Sequence, residues 1–82
     1  MEKPIVYIVS DSIGDTAEFV VKAVASQYGS GDFEMRRVPF VEDKNQIRAV
    51  FAEAIHRNSI IAYTLVVPEL RKAMEEEAIR HN

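Results

Sequence analysis

Seven consecutive residues, Ser10-Asp11-Ser12-Ile13-Gly14-Asp15-Thr16, hold most of the chemistry this chain offers. They follow an apolar run and precede a helical pattern, so they join a strand to a helix N-terminus. Backbone N–H groups without helical partners and the positive end of the helix macrodipole make such a junction an anion site. Ser10, Ser12 and Thr16 would add hydroxyl donors, and Gly14 would let the backbone approach a phosphate closely. The same residues also suit plain turn chemistry, with Asp11 and Asp15 as helix caps. Two aspartates beside a phosphate are electrostatically awkward, and the residues alone leave both readings open.

Other chemistry is sparse. No Gly-x-Gly-x-x-Gly follows the first strand, and no Gly-x-x-x-x-Gly-Lys-[Ser/Thr] occurs, so this chain by itself is not a P-loop kinase. The two histidines, His56 and His81, have neither a Cys partner nor a second His four residues on, so no metal site is expected. Ser10, Ser12 and Thr16 have no nearby base in sequence, and no catalytic residue is assigned. Arg36, Arg37, Lys44 and Arg48 read as a solvated edge rather than one basic patch, because adjacent strand residues point to opposite faces. Glu75-Glu76-Glu77 reads as an exposed helix face.

These residues need elements to position them. Ile5-Val6-Tyr7-Ile8-Val9 is apolar without alternation, the pattern of a strand buried on both faces of a parallel sheet. Asp15 with Glu18 has capping-box spacing, and Ala17, Val20, Val21, Val24 and Tyr28 recur on one face of a helix. Gly29-Ser30-Gly31 would end it. Phe33 to Phe40 reads as a second strand whose charges and Pro39 suit a sheet edge. Asp43 with Gln46 repeats the capping-box spacing. A second helix then follows with Ile47, Val50, Phe51, Ala54 and Ile55 as its stripe, running to about Asn58. Ser59 to Leu65 is apolar on both faces and reads as an interior strand. Pro68 suits the first position of a third helix, which runs to about His81 with Leu70, Ala73, Met74 and Ala78 inward.

The order β-α-β-α-β-α predicts a three-layer α/β fold with a parallel sheet and right-handed crossovers. The expected strand order is 2-1-3, half of a flavodoxin-like or Rossmann-like sheet. In such sheets ligands bind beyond the carboxyl ends of the strands where the order reverses. That nominates the loops Ser10 to Asp15 and Thr64 to Pro68.

Composition bounds the rest. The chain has 82 residues, 48% apolar and 28% charged, which suits one small globular domain. Ten basic residues against thirteen acidic give −3, with no basic excess for nucleic acid. There is no cysteine, which excludes disulfides and thiolate ligands within these residues. The longest apolar stretch, Ile60 to Val67, is far short of the roughly 20 residues of a membrane span. Met1-Glu2-Lys3-Pro4 has no apolar signal region, so a cytoplasmic protein is expected.

Three segments together resemble the pyruvate, phosphate dikinase regulatory protein family, related to regulators of phosphoenolpyruvate synthase. They are Val9-Ser10-Asp11-Ser12-Ile13-Gly14-Asp15-Thr16-Ala17-Glu18, then Val38-Pro39-Phe40-Val41-Glu42, then Thr64-Leu65-Val66-Val67-Pro68-Glu69-Leu70-Arg71. The resemblance implies a bifunctional serine/threonine kinase and phosphotransferase. It would phosphorylate a threonine of the dikinase, or of phosphoenolpyruvate synthase, using ADP. It would remove that phosphate with inorganic phosphate, releasing pyrophosphate. It also implies a chain of roughly three domains' length, with the glycine-rich, lysine-bearing nucleotide loop downstream. The 82 residues would then be the N-terminal domain, inactive alone, binding no cofactor itself and leaving a sheet edge open to a fourth strand or to a homodimer partner. A separate resemblance of the Ser10–Thr16 loop to a flavin mononucleotide phosphate loop implies, as the alternative, a stand-alone phosphate- or flavin-binding module.

Overall fold

The computed structural model describes residues 4–27 and 33–81. The elements alternate as β1 (Ile5–Ser10), α1 (Asp15–Gln27), β2 (Glu34–Val38), α2 (Lys44–Ala54), β3 (Ser59–Thr64) and α3 (Pro68–His81). The sheet order is β2-β1-β3, with both pairings parallel, as the alternation of strands and helices requires. Tyr28 and the expected glycine stop at Gly29 to Gly31 lie outside the described residues.

Every residue of β1 is buried. Its odd residues, Ile5, Tyr7 and Val9, pack with Ile47, Phe51, Leu70 and Met74 of α2 and α3. Its even residues, Val6 and Ile8, meet Ala17 of α1, with Val21, Phe33, Met35 and Ala62 alongside. The layers are therefore unequal. Two helices cover one face, and α1 alone covers the other.

Three positions depart from the expected pattern. On α1, Ala17 is buried and Val21 half-buried, but Val20 and Val24 are exposed because no second helix lies beside α1 among the described residues. β3, expected in the interior, has only β1 as neighbour, and its Ile60 is 65% exposed. Ala78 faces outward, and Glu77 takes the buried place on α3 that the heptad-like spacing from Leu70 to Met74 leads to. Its carboxylate is held by Arg48 at 3.9 Å, Arg80 at 3.7 Å and His81 at 3.5 Å, while the His81 ring stacks on Phe51. The glutamate run is therefore not a uniformly solvated face. Burying a carboxylate among cations avoids most of the penalty of an unpaired charge.

Helix ends follow local chemistry. The Asp43 carboxylate accepts from Gln46 N at 3.0 Å, and the Gln46 side chain accepts from Asp43 N at 3.2 Å, a reciprocal capping box. α2 stops at Ala54, short of Asn58, because Ile55 forms the C-cap and the Ser59 hydroxyl donates to the Ala54 carbonyl at 2.9 Å. Pro68 opens α3, where its missing N–H has no helical partner to lose.

Among the described residues Tyr7 is the one aromatic ring that is fully buried, and its hydroxyl reaches the rim of the core to donate to Glu53 Oε2 at 2.5 Å. Arg36 pairs with the same carboxylate and lies over the Tyr7 ring, 5.8 Å from its centroid. Burial, and then the Glu53 carboxylate, push the Tyr7 phenol above its usual pKa of 10. The unfolded chain therefore releases this proton first. The stabilisation is complete below pH 10 and is lost as pH rises through the higher folded value. Tyr7→Phe should lower stability by about 1 kcal/mol at neutral pH and flatten the alkaline loss, which urea unfolding at pH 8 and near pH 11 would measure.

Candidate functional site

Three loops meet at the carboxyl ends of the strands, at residues 11–14, 39–43 and 65–67. Backbone bonds tie the first two together. Phe40 N donates to Ser12 O and Val41 N to Ser10 O, both at 2.9 Å. A side chain ties the first to the third. Asp11 Oδ2 accepts from Val66 N and Val67 N, both at 2.8 Å. Val67 immediately precedes α3, so this carboxylate sits at the positive end of that helix and acts as a cap from another loop. Asp11 is thus a tether between the two loops that the reversal of strand order nominates.

Ser10 lies beneath this surface. It is fully buried, and its hydroxyl is 3.1 Å from Ser12 Oγ, accepts from Ser12 N at 3.0 Å and accepts from Thr64 Oγ1 at 3.2 Å. Ser10 and Thr64 are register partners on β1 and β3, which is why residues 54 apart in sequence meet. Ser12 and Thr16 are exposed, and Gly14 is buried between them. The four candidates therefore separate into a structural hydroxyl and a buried glycine inside, and two hydroxyls at the surface.

Gly14 has φ of +89°, a left-handed conformation that side chains disfavour. A Cβ there would lie in ordinary contact, 3.7 Å from Arg37 Nη2 and from Ser10 Cβ. Backbone conformation, more than space, is what this glycine supplies. Its carbonyl accepts from Glu18 N at 3.2 Å, the first turn of α1. Asp15, expected as the N-cap, is instead the first helical residue, and its carboxylate turns to Arg37 Nη2 at 3.1 Å.

Arg37 is the functional-looking residue that strand periodicity did not single out. It points to the α1 face, opposite Ile8, while Arg36 points to the α2 face. Its guanidinium spans Asp15, the Ile13 carbonyl and Glu18, the last at 3.3 Å. It supplies the positive charge that the two aspartates lack. Only strand pairing brings it there, so no local spacing announces it. Phe40 is the second such residue. It is 59% exposed with φ of 57°, an unusual conformation for a bulky side chain, held by the bonds to Ser10 and Ser12.

Among the described residues no group of three His, Asp or Glu side chains is arranged to hold a metal ion, and no helix is long and apolar enough to cross a membrane.

A strand-loop-helix cleft of this kind is shared by many functions. Comparison with known proteins narrows it. Residues 6–82 match the family described as kinase/pyrophosphorylase. The chain belongs to that family. Among curated kinase/pyrophosphorylase relatives, a protein of Halalkalibacterium halodurans is 51% identical over 77 residues, which is 94% of this chain and 28% of that protein. One from Geobacillus kaustophilus is 51% identical over 80 residues, 98% of this chain and 30% of its own length. One from Alkaliphilus oremlandii is 46% identical over 78 residues. All three are named pyruvate, phosphate dikinase regulatory protein. The chain therefore spans under a third of the length of these relatives and corresponds to their N-terminal part.

Two substitutions test the construction of the cleft. Asp11→Ala should reduce stability by about 1 kcal/mol in urea unfolding and speed amide exchange at Val66 and Val67, since two charge-assisted bonds are removed at a partly solvated position. Gly14→Ala should reduce stability by about 1–2 kcal/mol through backbone strain alone, leaving the fold unchanged by circular dichroism.

Proposed function

We propose that this chain is the N-terminal α/β domain of a bifunctional regulator of pyruvate, phosphate dikinase. The whole protein transfers the terminal phosphoryl group of ADP to a threonine of the dikinase, leaving AMP. In the opposite direction inorganic phosphate attacks the phosphothreonine, and pyrophosphate leaves with the threonine hydroxyl restored. The observation that carries this reading is the near half identity, over almost the whole chain, to proteins named for regulation of that enzyme.

The local chemistry fits a supporting part in phosphoryl transfer, where positioning and charge stabilisation do most of the work. Ser12 and Thr16 are exposed at a helix N-terminus, and Arg37 is held at the same loop by Asp15 and the Ile13 carbonyl. An anion on this loop would draw Arg37 away from Asp15, with Glu18 as its remaining partner. On this reading the catalytic groups belong to the rest of the protein, which in the curated relatives is more than two thirds of the length. Phosphoenolpyruvate synthase is the alternative target, and the cytoplasm is the compartment this reading assigns.

The test uses the whole protein with purified dikinase and ADP labelled in the β-phosphate. Label is expected on a dikinase threonine, and subsequent inorganic phosphate should release it as pyrophosphate. Absence of transfer to the dikinase, with transfer to phosphoenolpyruvate synthase, would reassign the target; absence from both would defeat the reading. Thr16→Val should raise KM for ADP or phosphate about 3–10-fold, the effect of one lost hydrogen bond, with the thermal midpoint unchanged.

A further inference from the structure

The two outer edges of the sheet differ in kind. β2 carries Glu34, Arg36 and Arg37 and is followed by Pro39, the residues that keep an edge from pairing. β3 reads Ser-Ile-Ile-Ala-Tyr-Thr, with no charge at all. Its flanks are apolar on both faces. On the α1 face a groove of about 370 Å³ is lined by Pro4, Val20, Val24, Phe33, Ile60 and Ala62. On the opposite face a second groove, about 350 Å³, runs along Ile55, Ile61, Tyr63 and Ala78, with Ser59 and His81 as the polar part of its lining. Ile60, Val20 and Val24 are each more than half exposed.

The position of α3 says what belongs there. β1-to-β2 and β2-to-β3 run in opposite directions across the sheet, and their helices lie on opposite faces. α3 packs beside α2 on the face used for the β2-to-β3 step. With right-handed crossovers, a helix on that face can only lead to a strand farther along the same direction, which is past β3. The curated relatives have more than two thirds of their length outside the matched part, and the match is to their N-terminal part.

We propose that the segment following α3 in the full-length protein adds a fourth parallel strand to the open edge of β3, and that a later helix fills the Val20, Val24 and Ile60 groove beside α1. The sheet order becomes 2-1-3-4. β3 becomes the interior strand its sequence describes, and the three-loop cleft gains a wall on the Thr64 side.

Hydrogen exchange of the full-length protein, read on peptic fragments, tests this. Segment 59–64 should exchange as slowly as segment 5–10, within about tenfold, and equally at low and high protein concentration. Exchange about a hundredfold faster than β1 would overturn the proposal. Protection that vanishes on dilution would overturn it too, by giving the edge to a second copy. Ile60→Lys in the same protein should lower the thermal midpoint by about 5 °C or more. Ile79→Lys, at a site 81% exposed and away from both grooves, should change it by about 1–2 °C at most. Equal, small effects of the two would count against a covered edge.

Discussion

A strand with no place in water organises this molecule. Residues 5–9 of β1 are each at most 8% exposed, and only Ser10, also buried, interrupts their apolar character. Such a strand needs a partner along each edge and cover on each face. β2 and β3 supply the edges, and α1 and the α2–α3 pair supply the faces. Connections long enough to return the chain in parallel usually carry helices, which is why α1 and α2 exist where they do. Leaving any side open would expose the most apolar segment of the chain, at about 25 cal/mol for each square ångström.

The same arrangement makes the cleft. Because β1 is central, its carboxyl end is where the chain direction across the sheet reverses, and the loops after all three strands converge there. Their contacts are mutual. Ser10 serves Ser12 and accepts from Thr64, Asp11 holds the start of α3, and Ser12 and Ser10 carbonyls hold Phe40 and Val41. The result is a polar seam whose parts are fixed by one another, with Ser12, Thr16 and Phe40 at its surface.

Charge in the cleft is balanced by a residue from elsewhere. Asp15 and Glu18 would repel any phosphate at the start of α1, and Arg37 neutralises part of that field. These pairs are substantially exposed, so their contribution to stability is small. Their consequence is for position: the guanidinium stays beside Gly14 and Asp15 rather than sweeping through solvent. The buried Glu77 cluster on α3 has a different character, since Arg48, Arg80 and His81 surround one carboxylate near the helix C-terminus and Arg48 ties α3 to α2.

Element order, sheet order, the Asp43 capping box and the Pro68 start were all legible in the sequence, because each rests on local periodicity or on chemistry within a few residues. The family resemblance was legible for a similar reason: three short segments stand in order along one chain. Asp11 as a tether, Arg37 at the Gly14 loop, Ser10 as an interior hydroxyl and Glu77 in the core were not. Each depends on pairs such as Ser10 and Thr64, or Arg37 and Asp15, that are 22 or more residues apart. Periodicity tells which face of an element is apolar, but only the register between strands decides which polar groups share a space. The apolar flanks of β3 show the same division from the other side. Its sequence determined that it should be buried, and the tertiary structure alone decided that the described residues leave one of its edges uncovered.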